Sequence, residues 1–135
     1  MKFAKVVFWG ASVFGLLVLT PLYFMFDLVG RMDPPPITHP QFYYGFAGVA
    51  LVWQFVYFTI GTDPARFRPI MILAAFAKSS FVGALLVLYV QGRISPVAAA
   101  TGLPDALLIV LFVAAFWKTR PRSGSSLYTL PESAK

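Results

Sequence analysis

Long apolar stretches alternate with short polar ones along this chain, and their spacing sets the elements. Crossing roughly 30 Å of hydrocarbon takes about 20 apolar residues in a helix. Runs at 6–26, 41–60 and 69–90 meet that length; a fourth at 97–117 does too but is interrupted by Gly102, Pro104 and Asp105. In hydrocarbon each segment must satisfy its own backbone hydrogen bonds, so these runs are predicted to be helices. Short connections between long helices give antiparallel neighbours. The expected fold is therefore all-α, an integral membrane four-helix antiparallel bundle.

The polar stretches fit that layout. In "TDPARFRP", Asp63 is suited to cap a helix start, and Pro64 and Pro69 each suit a first helical position, so a compact turn is expected. Thr20-Pro21 should kink the far part of the first helix, because proline removes a hydrogen bond and crowds the preceding turn. The first connection, Asp27 to Pro40, is a 14-residue loop in which three consecutive prolines favour an extended path. Small residues at close-packing spacing (Ala11 and Gly15, Gly45 and Gly48, Ala75 and Ser79, Ser79 and Gly83) are expected to let helices approach each other.

Composition narrows the class. The chain has 135 residues, is 59% hydrophobic and only 12% charged, and its mean hydropathy is +0.75. A soluble domain carries about twice that share of charge. Without cysteine, thiolate chemistry and disulfides are excluded, and the single histidine, His39, cannot make a metal site alone. The net charge of +6 is carried on residues flanking the apolar runs, which argues for a membrane and against nucleic acid. The basic start at Lys2 and Lys5 resembles that of a signal peptide, but the apolar run is too long and no small-residue cleavage site follows, so an uncleaved helix is expected.

Charge also orients the helices. Lys2, Lys5, Arg66, Arg68, Lys118, Arg120, Arg122 and Lys135 fall at the two termini and the second connection; only Arg31 and Arg93 fall in the first and third. That bias places both termini in the cytoplasm and disfavours dual topology. Trp9, Tyr57 and Trp117 on one side, with Tyr23, Tyr43, Tyr44 and Tyr89 on the other, read as two interfacial belts. Residues 1–122 form a single membrane domain, and 123–135, "SGSSLYTLPESAK", a polar disordered cytoplasmic tail.

Lys78 is the leading candidate for chemistry. It lies nine residues beyond Pro69, roughly 13–14 Å deep at the helical rise, where a lysine costs about 2.5–3.5 kcal/mol on insertion scales. A structural partner, snorkelling to the headgroups, or a ligand-lined cavity would each account for it, preferred in that order. Asp105 matches its depth if the last helix starts near Val97. A start at Pro104 instead makes Asp105 a cap on an interfacial helix end, leaves a last helix of about 14 residues, and sends Lys78 to Gln54. Thr101-Gly102 reads as such a cap, so the Pro104 start is favoured.

Other candidates have simpler explanations. His39, with Asp27, Arg31 and Asp33, sits in the long first connection, where a packed lid is expected ahead of a docking or gating surface. Arg66 and Arg68, flanking Phe67, are suited to an anionic lipid headgroup, though topology alone accounts for them. No paired carboxylates, Gly-rich phosphate loop or Ser/His/Asp arrangement occurs, which disfavours an enzyme.

"YYGFAG" opening the second helix, "DPARFRP", "QGR" after the third helix and an aspartate early in the fourth resemble the DoxX-like group of small four-helix bacterial inner-membrane proteins. The resemblance implies that bundle in an inner membrane and, for some members, accessory subunits of membrane redox systems; it carries no catalytic residues. Small multidrug transporters are similar in size but need a carboxylate in the first helix, and 6–26 has none.

The reading is a non-enzymatic accessory or interaction subunit, contacting membrane lipids and other membrane subunits or itself. The alternative is a small transporter or binding protein for a lipophilic or anionic ligand lined by Lys78, Gln54, Asp105 and His39. A weaker third is a lipid- or quinone-modifying enzyme using Lys78, His39 or Asp105. No cofactor is predicted; a bound lipid or quinone is the small molecule such a bundle would take.

Overall fold

A computed structural model describes residues 1–120, so the tail expected at 123–135 lies outside the described residues. The described chain is helical, without strands. Its elements are α1 (Lys2–Leu19), a 3-10 helix (Thr20–Phe24), α2 (Phe26–Met32), α3 (Pro40–Thr62), α4 (Arg68–Val90), α5 (Pro96–Ala100) and α6 (Leu103–Lys118). They make four helical stretches of 23 residues, each long and apolar enough to cross a membrane: Lys2–Phe24, Pro40–Thr62, Arg68–Val90 and Pro96–Lys118. At the helical rise each measures about 34 Å.

Prolines shape the irregular joints as expected. Pro21 tightens the end of the first stretch into the 3-10 helix. Asp63 accepts a bond from the Arg66 N–H through Oδ1, closing one helical turn before α4, in which Pro69 occupies the first turn. The long first connection differs from the extended path expected of it. It contains α2, with Asp27 in its first turn and Arg31 in its last, and only the segment from Asp33 onward is irregular. Acid at a helix start and base at its end both favour helix, and the three prolines fall beyond it, in the irregular segment.

The four stretches form two consecutive hairpins. α1 packs along α3, α4 packs along α6, and α1 against α6 joins the pairs, whereas α3 and α4 touch little. Contacts fix the antiparallel order. Lys118 lies over the Phe3 ring at 4.1 Å, and Arg68 Nε donates to the Phe116 carbonyl at 3.3 Å. At the opposite end, Tyr43 donates to the Leu22 carbonyl at 2.8 Å. Lys2, Lys5, Arg66, Arg68, Lys118 and Arg120 therefore share one end, the basic end.

The buried core lies toward that end. Its members are Ala4, Val7, Phe8 and Ala11 of α1, Tyr57 and Ile60 of α3, Met71 and Ala74 of α4, and Phe112 and Ala115 of α6. At its centre Phe8 stacks on Phe112, ring centroids 4.4 Å apart, and Tyr57 meets Phe112 edge-on at 5.0 Å. Offset and edge contacts of this kind add about 0.5–1.5 kcal/mol per pair beyond area burial. Tyr57 is thus a core residue, 1% exposed, and not a member of an interfacial belt. Of the other residues read as belts, Trp9, Trp117, Tyr23, Tyr44 and Tyr89 are exposed and Tyr43 is half-buried.

Candidate functional site

The candidate site sits on top of this core. Lys78 lies ten residues after Arg68, the first residue of α4, and Asp105 nine after Pro96, the first of α5. The two run from opposite ends, so each stands about 14–15 Å into its stretch. They meet: Lys78 Nζ donates to Asp105 Oδ1 at 2.6 Å, with both side chains mostly buried, 16% and 18% exposed. The ammonium also lies 5.7 Å from the centre of the Tyr57 ring, near enough for the ring face to add to its stabilisation.

Two expectations about the last helix are corrected by this arrangement. α6 does begin beside Pro104, and Asp105 does occupy its first turn. Yet Asp105 does not cap an interfacial end, because α5 continues the stretch outward by nearly two turns, started by Ser95, whose Oγ accepts from the Ala98 N–H. Thr101 and Gly102 keep right-handed helical dihedrals between them. Gly102 is buried there, and a Cβ on it would press on Leu85 of α4. The joint is a proline kink in a continuous helical path, and the carboxylate sits beside the kink at mid-length. A carboxylate in the first turn of α6 is also favoured by the helix dipole.

Gln54, expected as the fallback partner of Lys78, is instead turned toward α1. It is 2% exposed; its Nε2 donates to the Ala50 carbonyl one turn back at 2.7 Å. Oε1 has no donor and lies against Gly15, where any Cβ would overlap it. His39 is not brought to the site. It is exposed at the start of α3, in contact with the Thr38 hydroxyl at 2.8 Å and the Phe42 ring. Arg66 is exposed, whereas Arg68 is half-buried, its guanidinium 3.7 Å from the centre of the Phe116 ring. Tyr57, whose ring faces the Lys78 ammonium, is a site residue that the pattern of apolar runs does not mark.

Chemically, the pair neutralises both charges and holds α4 to α6. Leaving either ion alone in an apolar surrounding is costly. Among the described residues it is the sole salt bridge, and no three His, Asp or Glu side chains gather in a metal-holding group. Compared with known proteins, the chain matches no family model, no curated protein and no solved structure.

Proposed function

We propose that this chain is a non-enzymatic multi-pass protein of the cell (inner) membrane, with both termini cytoplasmic, serving as an accessory or interaction subunit of a membrane assembly or of its own oligomer. The observation that carries this reading is the Lys78–Asp105 pair: the one deep lysine is engaged inside the bundle by its own carboxylate, which favours a structural role over an open ligand site. The outward side of α4 supports it further. Ser80 and Gly83 are exposed there, and nothing lies within 4 Å of where a Gly83 Cβ would stand. Small residues on an uncovered helix let a second helix approach closely. The resemblance of its short motifs to the DoxX-like group would point in the same direction, as does the concentration of basic residues at one end, which favours a cytoplasmic placement of that end.

The test is native mass measurement after extraction in mild detergent. Wild type is expected to carry a second copy or a partner subunit that Gly83→Leu loses, while a Lys78→Met/Asp105→Leu double variant retains it. A wild type that extracts only as a lone monomer would sink the reading. A small carrier is the second reading, favoured by the unpartnered Gln54 Oε1, which would accept from a bound donor. It predicts that Gln54→Met abolishes uptake or binding of a lipophilic ligand without changing the oligomer.

A further inference from the structure

A groove of about 390 Å³ runs along the outer side of the α4/α6 seam. Met71, Ala75 and Ser79 line it from α4, and Ile109, Val113 and Phe116 from α6. Its length follows from the eight residues between Met71 and Ser79, about 12 Å of helix. It starts at the basic end, beneath Arg68, and stops at Ser79 and Ile109, one turn of α6 from Asp105. The lining is almost entirely apolar, and Ser79 is its one hydroxyl.

What distinguishes this groove from the rest of the apolar surface is its mouth. Arg68 is held there by two contacts, Nε to the Phe116 carbonyl at 3.3 Å and the guanidinium plane 3.7 Å from the Phe116 ring centre. Neither contact occupies the N–H donors of the outer nitrogens, and among the described residues Arg68 has no carboxylate partner. Arg120 is exposed at the same basic end but stacks on Trp117 at 3.6 Å, outside the groove lining. An arginine fixed by its Nε and one ring face keeps a fork of donors suited to phosphate oxygens. A positive mouth on an apolar channel complements an amphiphile with a negative head and a hydrocarbon tail.

We infer that the α4/α6 groove is a binding site for an anionic phospholipid, with one acyl chain lying between α4 and α6 and the phosphodiester at Arg68. The inference is independent of the proposed accessory role. Its site lies on the basic half of α4, while the Ser80–Gly83 face offered to a partner lies toward the other half.

Native mass spectrometry of the full-length protein in mild detergent tests it, with added phosphatidylglycerol or phosphatidylcholine of identical acyl chains as probes. Wild type is expected to retain one phosphatidylglycerol in preference to phosphatidylcholine. Arg68→Gln should reduce that preference about fivefold, the effect of one basic residue near an anionic surface. Val113→Trp, which fills the groove and leaves the mouth intact, should abolish retention. Ser79→Phe plugs the exposed far end and serves the same purpose should Val113→Trp fail to fold. Arg93→Gln, at an exposed arginine of the opposite end, should leave retention unchanged. Equal retention of the two lipids overturns the inference, as does insensitivity to either the mouth or the groove variants. Displacement of the lipid by soluble glycerol phosphate would overturn it as well, by showing that the headgroup alone is bound.

Discussion

Gln54 occupies the space that a side chain on Gly15 would need, so the packing of α1 on α3 at this point depends on the glycine and the glutamine together. Gly15→Ala is expected to lower stability by about 1–3 kcal/mol, the usual cost of overfilling a packed site. Adding Gln54→Ala to the same chain should recover most of that loss, because the clash is with the amide and not with backbone. Unfolding of the three variants in detergent micelles measures it. Simple additivity of the two substitutions would refute the coupling.

Gln54 alone gives the opposite sign from most buried substitutions. Its Oε1 finds no donor and its Nε2 bonds only within its own helix. Removing both polar groups by Gln54→Met trades an unsatisfied amide for an isosteric thioether, so stability should stay within about 1 kcal/mol of wild type or rise. A larger loss would show that the amide has a partner when the protein is in its membrane.

For the ion pair, single and double substitutions separate the cost of an orphaned charge from the worth of the bond. Lys78→Met or Asp105→Leu alone should cost about 3–5 kcal/mol, since each leaves the other charge buried without a partner. The double variant should be close to wild type, because an apolar pair of similar volume replaces both ions. Folded yield and thermal stability of the four proteins decide the matter, and a double variant as poor as the worse single one would contradict it.

Core and periphery should differ sharply within one residue type. Phe112 is fully buried between Phe8 and Tyr57, so Phe112→Ala should cost about 3–5 kcal/mol. Phe76, 68% exposed on α4, should tolerate the same change with no more than about 0.5 kcal/mol lost. Comparable losses at both positions would mean that Phe76 is covered by something in the working protein.

Which parts of this were legible in the sequence follows from the physics of an apolar surrounding. The four long stretches, the Asp63 turn and the prolines at helix starts are read from run length and turn chemistry, which do not depend on neighbours. Counting residues matches Lys78 with Asp105 only for a start near Val97, the less favoured of the two, and it is these two that meet. Rotation about each helix axis was the part that could not be read. In a soluble bundle an apolar stripe marks the inner face, but here the outward faces are equally apolar. Nothing in the pattern therefore told that Tyr57 points into the core or that Gln54 turns to α1. The small residues show the same ambiguity, since Ala11 and Gly15 are buried whereas Gly45 and Gly83 face open space. The choice between a Val97 and a Pro104 start failed for another reason: both hold, joined by a kink that neither start describes.

The slight contact between α3 and α4 has a consequence for how the molecule comes together. Each hairpin, α1 with α3 and α4 with α6, is built from consecutive segments, so the first can close before the second has been synthesised. The turn between them, from Asp63 to Phe67, connects two halves whose contact runs mainly through α1 and α6, with Tyr57 of α3 reaching Phe112 and Lys78. A chain severed in that turn should therefore still reunite as two co-expressed fragments. α1 and α6 would then make most of the contacts across the halves, closing the bundle as a clasp does.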